Sequence, residues 1–244
     1  MIGRLLALAV AAGLLGLVAA DAAPFEGRIE VMVTRNGEPT ALLYTLQPGA
    51  LRIEILSATK PEPVNIVDLK TGALTLVLPH NRSFVVVKGG RGEARLPPMP
   101  LRPASVAGAP PMPPIPAVPA APGGRLELKP TGKREKILGF DCAQFELSER
   151  GERVEVWATD ALGPFREYVR QGGPHFGPRQ LEEQWAEQMA ANKLFPLRAS
   201  LHDETSTVRF KFEVRSITPA KLTEEHQKLF HPPEGYAESP PLPL

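Results

Sequence analysis

The residues best suited to chemistry crowd into one stretch, PTGKREKILGFDCAQFELSERGERVEVWATDALG, from 130 to 163. It holds the chain's only cysteine, Cys142, one of its two tryptophans, Trp157, and many charges. A reactive thiol needs a helix N-terminus or a cationic neighbour to lower its pKa. Cys142 has neither, since it opens a strand-like run and no histidine lies within 30 residues of it. A buried, inert thiol is the expectation. With one cysteine the chain has no internal disulfide, and an intermolecular one stays open. The carboxylates Glu146, Glu149 and Glu155 alternate with other residues beside Arg153, which suits ion pairs on a wet strand face better than general acid–base work.

Other reaction signatures are missing. The five histidines, His80, His175, His202, His226 and His231, show no i, i+4 pair, and there is no cysteine pair to hold zinc. No Gly-x-Ser-x-Gly elbow occurs. Gly89-Gly90-Arg91-Gly92 precedes a proline-rich run and not a helix, so it does not cradle a phosphate. No catalytic residue, metal site or cofactor is expected, and the chain does not look like an enzyme.

The elements that would carry any site are mostly strands. FEGRIEVMVTR sets Phe25, Gly27, Ile29, Val31 and Val33 against Glu26, Arg28 and Glu30. LRIEI sets Leu51, Ile53 and Ile55 against Arg52 and Glu54. VRFKFEVRSI sets Val208, Phe210, Phe212 and Val214 against Arg209, Lys211, Glu213 and Arg215. A period of two marks strands with one apolar and one wet face, and such strands pair in antiparallel sheets. Further strands are expected at 41–47, 63–69, 73–78, 83–88, 126–129, 134–140, 142–148 and 153–159, separated by turn residues.

Two stretches read as helices. One, 178–193, opens with Gly177-Pro178 and carries Glu182 and Glu183 in its first turn. Its Leu181, Trp185 and Met189 recur every four residues in one stripe. The other starts at Thr218-Pro219, puts Leu222, His226, Leu229 and Phe230 on one face, and stops at Pro232. Two helices cannot cover so many strands as a doubly wound fold does. The fold expected is therefore mainly β (α+β): a strongly curved antiparallel sheet, a half-barrel, wrapped around one or two helices. Its apolar groove would be lined by Val31, Ile53, Phe210 and Phe212 from the strands and by Leu181, Trp185 and Met189 from the helix.

The ends carry different information. Arg4 followed by the apolar run 5–18 and small residues near 18–22 reads as a signal peptide over 1–22. The run is shorter than the roughly 20 residues of a spanning helix. No cysteine follows it, so a lipid-anchored lipoprotein is not indicated. A periplasmic or secreted protein is expected, with no transmembrane span in the mature chain. The domain would run over 23–237, interrupted at 97–124 and followed by a flexible proline-rich tail, 238–244. The chain holds 28 prolines in 244 residues, about twice the usual fraction. Eleven of them lie in 97–122, a stretch that cannot join a sheet interior. It suits a disordered or polyproline-II excursion, serving either as a plain insertion or as a docking segment for a protein partner. The formal charge of +1 gives no reason to expect a nucleic acid partner.

The same central stretch resembles a family of secreted bacterial proteins, the domain of unknown function 4412. The resemblance rests on Thr131, Gly132, Ile137, Leu138, Gly139, Phe140, Cys142, Val156, Trp157 and Thr159. The opening FEGRIEV, the segment Phe195-Pro196-Leu197-Arg198, and LFHPPEGY near the end also fit. The long proline insertion and tail depart from it. The family is similar in architecture to periplasmic lipoprotein carriers and envelope-stress regulators with a half-barrel. That likeness implies a concave face able to receive acyl chains. The function expected is thus a non-enzymatic cell-envelope protein, a carrier or sensor of a lipophilic ligand such as an acyl chain or lipoprotein. The alternative is an envelope scaffold acting through its proline-rich segment.

Overall fold

Alternating residues of the first strand decide which side of the sheet is inside. In β1 (Gly27–Arg35), Ile29, Val31 and Val33 are buried while Arg28 and Glu30 are exposed. A computed structural model describes residues 24–56, 59–87, 127–169 and 181–240. Within it β1 lies near the middle of one open, curved sheet of twelve strands. The neighbours on one side are β2 (Glu38–Gln47), β3 (Ala50–Ile55), β4 (Val64–Asp68), β5 (Leu74–Leu78), β6 (Ser83–Val87) and the two-residue β12 (Ala237–Glu238). On the other side β11 (Val208–Pro219), β10 (Phe195–His202), β9 (Glu152–Thr159), β8 (Phe140–Glu149) and β7 (Lys129–Ile137) follow in that order. All pairs are antiparallel except β12 with β6. The chain leaves β6 beside one edge and re-enters at β7, the other edge. The expected signal peptide, the insertion at 97–124 and residues 241–244 of the expected tail lie outside the described residues, whereas Glu238 of that tail is in β12.

The two helices lie on opposite faces. α1 (Leu181–Ala191) packs on the inner face, which carries Ile29, Val31, Tyr44 and Ile53, while α2 (Glu224–Lys228) lies outside. Val64, Ile66 and Val77 alternate away from the inner residues Asn65 and Val67, and Phe230 covers them. Arg52, an outer residue of β3, donates to the Leu229 carbonyl oxygen at 2.9 Å and ties α2 there. The sheet therefore wraps around one helix and wears the other on its back. None of the helices in the described residues is long and apolar enough to cross a membrane.

Some boundaries differ from those the sequence suggests. The separate strands expected at 126–129 and 134–140 are, from Lys129 on, one hairpin arm, β7, which turns at Leu138-Gly139. Positive φ at both turn residues, 49° and 88°, matches the turn that suits strand twist and favours glycine second. The second helix starts later than Thr218-Pro219. Those two residues still pair with Arg28 and Gly27 at the end of β11, so the ladder wins over the local cap signal. The cap is Thr223, whose backbone N–H donates to His226 Nδ1 at 3.3 Å. The first helix is described from Leu181 and ends at Ala191, two residues short of the expected 193.

Two backbone features yield expected outcomes. Gly27 has φ of 152°, and a Cβ there would collide with the Thr218 carbonyl oxygen across the central β1–β11 ladder. Gly27→Ala should lower stability by about 2–4 kcal/mol, read as a fall in the urea unfolding midpoint. At the β10–β11 turn the Asp203 carboxylate accepts from the Thr205 hydroxyl at 2.6 Å and from the Thr205 and Thr207 N–H groups, both at 2.9 Å. These bonds, the Thr205 hydroxyl first, hold its pKa below the ordinary carboxylate value. A depressed folded pKa gives stability that is present above the unfolded pKa, about 4, and is lost as pH falls through the folded one. The Tm gap between Asp203→Ala and the parent should be open at pH 7 and close below that range. A gap that stays constant down to acid pH would contradict the assignment.

Candidate functional site

The inner face gathers the residues with groove-forming character. Val31 in β1, Ile53 in β3, and Phe210 and Phe212 in β11 are buried, as are Leu181, Trp185 and Met189 of α1. All seven belong to one apolar cluster. The helix stripe is completed by Ala186. Side chains, not open space, occupy most of the volume between sheet and helix.

The residue that fills it is Phe165, which periodicity does not disclose. It sits in 160–169, a strap that leaves β9 and crosses the concave mouth. Phe165 N–H donates to the Leu194 carbonyl oxygen at 3.1 Å. Arg35, at the end of β1, pairs with Glu167 at 3.1 Å, and the Tyr168 hydroxyl donates to the Pro63 carbonyl oxygen at 2.7 Å just before β4. So anchored, the Phe165 ring lies 5.4 Å from Trp185, 5.4 Å from Phe212, 5.7 Å from Phe195 and 6.2 Å from Tyr44, centroid to centroid. Stacked and edge-on pairs at such spacings each add about 0.5–1.5 kcal/mol beyond burial. A signal for Phe165 does exist in the sequence. Leu162 and Phe165 are large apolar residues around a Gly-Pro turn, and both are fully buried, which a free surface loop would not need.

A cleft of about 30 Å³ remains at the edge of this cluster, lined by Val33, Arg35, Thr40, Leu42, Tyr44, Phe165, Glu167, Tyr168, Trp185, Phe210 and Phe212. That is about the share of one water molecule. Its rim is charged. Arg35 pairs with Glu167 and lies over the Phe210 ring at 5.5 Å. Burial first, then the Glu167 charge, pushes the Tyr44 hydroxyl far above its usual pKa, with Arg35 opposing. Among the described residues three side chains have buried polar atoms without a partner: Trp185, Asn65 and, in the strap, Arg166 at Nε. The Trp185 indole N–H is buried without an acceptor, and the side-chain amide of Asn65, next to Ile53 on the inner face, is buried with neither end bonded. Each such group costs about 1–3 kcal/mol.

The stretch 130–163 plays a different part. Cys142 is buried in the main cluster, and burial, aided by Asp141 and Glu135, raises its thiol pKa. Trp157 is half-buried under the Arg198 guanidinium at 5.6 Å. Thr131 donates to Gln144 Oε1 at 2.9 Å and pins the β7–β8 hairpin. The pair most like a nucleophile and base is Ser200 and His202, 3.1 Å apart on β10. Their cross-strand neighbours are Glu155, Lys211, Arg153 and Val208, and the Asp203 carboxylate is engaged by its own turn. Beside them the β8–β9 and β10–β11 turns form a polar cup of about 390 Å³, walled by both charge signs: Glu149, Arg150, Glu152, Arg153 and Glu204. Among the described residues no group of three or more His, Cys, Asp or Glu could hold a metal ion.

Fold and site together define an open antiparallel half-barrel whose concave side is closed by one helix and a strap. Residues 124–236 match the family model of the domain of unknown function DUF4412. The residues 131–159 singled out in the sequence lie within that match. No curated protein matches the sequence. Among solved structures, PNGF-II shares 16% identity at a TM-score of 0.47, covering 87% of this chain and 30% of that one. An uncharacterized conserved protein from Thermus thermophilus shares 11% identity at 0.45, covering 88% and 91%. An outer membrane lipoprotein-sorting protein domain from Vibrio parahaemolyticus shares 10% identity at 0.30, covering 84% and 89%. This chain spans about a third of the length of PNGF-II.

A raised thiol pKa and burial together predict that Cys142 reacts with an aromatic disulfide reagent at pH 8 only after unfolding in guanidinium. Full reaction of the native chain within minutes would contradict this burial.

Proposed function

We propose that the protein is a non-enzymatic cell-envelope protein that carries or senses a lipophilic ligand between the sheet and α1, in the space the aromatic cluster now occupies. The observation that carries this reading is the aromatic cluster around Phe165, which narrows to a cleft opening beside Arg35 and Glu167. A drug-sized ligand needs about 300–1,000 Å³, so an occupied state requires Phe165 and α1 to move. Their attachment suits such movement. α1, 11 residues as described, makes few contacts with strands other than β8, β9 and β10. It is held by burying Leu181, Trp185, Ala186 and Met189. A ligand's hydrocarbon would re-cover the apolar area that the helix and Phe165 give up, so exchange costs little hydrophobic free energy. The envelope location rests on the secretory pattern of 1–22. The scaffold alternative rests on 97–124, which lie outside the described residues.

The test is uptake of N-phenyl-1-naphthylamine by the full chain, followed by dye fluorescence, with native mass spectrometry of gently purified protein. Wild type should bind the dye. Phe165→Ala should bind it several-fold more tightly while losing about 3–5 kcal/mol of stability. No uptake by either, together with a mass of the bare chain alone, would overturn the proposal.

A further inference from the structure

The ligand class can be narrowed from the polar groups at the cleft, and this step rests on the reading just given. The Trp185 ring lines the cleft, is almost fully buried, and offers an N–H that has no acceptor. A buried donor of this kind lowers stability and is satisfied only by an incoming acceptor. A pure hydrocarbon would leave it unpaired.

The charge of that acceptor is limited by the rim. Arg35 alone would favour an anion, but its guanidinium is paired with Glu167 at 3.1 Å. A carboxylate drawn in beside the buried indole would give up its water for one neutral N–H, with Arg35 already engaged by Glu167, and an uncompensated buried charge is costly. A neutral carbonyl meets no such penalty and still accepts from the indole. We infer that the cleft beside Trp185 takes the neutral ester carbonyl of a fatty acyl chain, with the indole N–H donating to it and the chain running into the space of Phe165. Trp185 is then a specificity-determining residue, and Glu167, by engaging Arg35, keeps that cation from pairing with a free acid.

The experiment titrates the full chain with three fluorescent probes. They are 11-(dansylamino)undecanoic acid, its methyl ester, and N-phenyl-1-naphthylamine, which has no carbonyl. Wild type should hold the ester about tenfold more tightly than the acid. Trp185→Phe, which keeps an aromatic ring and loses the N–H, should weaken the ester about three- to tenfold, the range of one neutral hydrogen bond, and leave the naphthylamine within about twofold. Glu167→Gln should bring the acid close to the ester. Equal binding of acid and ester by wild type, or an unchanged ester affinity in Trp185→Phe, overturns this inference while naphthylamine binding leaves the carrier reading standing. Failure of all three probes to bind overturns both. Should Trp185→Phe not fold, the indole Nε1–H proton resonance of the wild type decides. A downfield shift on adding the ester but not the naphthylamine supports the contact, and no shift overturns it.

Discussion

The contact of the Phe165 ring with Trp185 closes the concave side of the sheet. A curved sheet has two faces to bury and few helices with which to do it. Here the outer face near β4 and β5 is covered by Phe230 and the C-terminal segment, and the inner face by α1 and the strap. The Phe165 ring touches helix, central strand β11, β10 and β2 together. Its backbone is tied to Leu194, and the strap beyond it to Arg35 and Pro63. The ring is therefore positioned by hydrogen bonds at both flanks and holds the helix by stacking. Without it, Trp185 would keep Phe210 and Phe212 of β11 as neighbours but lose its stacked partner.

This division of labour explains what the sequence could disclose. Residues that alternate along β1, β3 and β11 announce their faces directly, because each strand is long enough to repeat its pattern. The stripe Leu181, Trp185, Met189 does the same for α1. All seven candidate groove residues meet in one cluster for this reason. Whether that groove is empty or filled has no local signature. The filling residue comes from a strap with no period of its own, and its partners lie 20 to 121 positions away in the chain. Similarly, Thr218-Pro219 has the chemistry of a helix start, yet the long pairing with β1 keeps it extended. Cap propensity is worth about 1 kcal/mol, and a continuous ladder outweighs it.

The distinctive residues of the stretch 130–163 have structural tasks. Gly139 closes a tight hairpin turn with Leu138, Thr131 fastens that hairpin through Gln144, and Trp157 supports Arg198. Cys142 is the small apolar residue of this assembly. A thiol desolvated this way is held protonated, the opposite of what nucleophilic chemistry requires. Types that look reactive in a linear reading here stiffen an edge hairpin, β7–β8. The charges along β7 leave that free edge poorly suited to pairing with another chain.

Residues that break a local rule are the better guide to activity. Along the inner face every pattern calls for apolar atoms, and two groups ignore it, the Trp185 N–H and the Asn65 amide. Leucine would fill the place of Asn65 at similar volume without its two orphaned atoms, so stability alone does not account for that residue. Phenylalanine at Trp185 would remove the orphan donor but leave a void, so there the two effects oppose each other. Both residues sit on the side of the sheet that α1 and the strap cover, whereas on the outer face, beside Val64, Ile66, Val77 and Phe230, the polar Arg52 is bonded to Glu54 and to the Leu229 carbonyl oxygen. The asymmetry assigns the two faces different tasks. The outer one is a finished core, whereas the inner one has hydrogen bonds left to make.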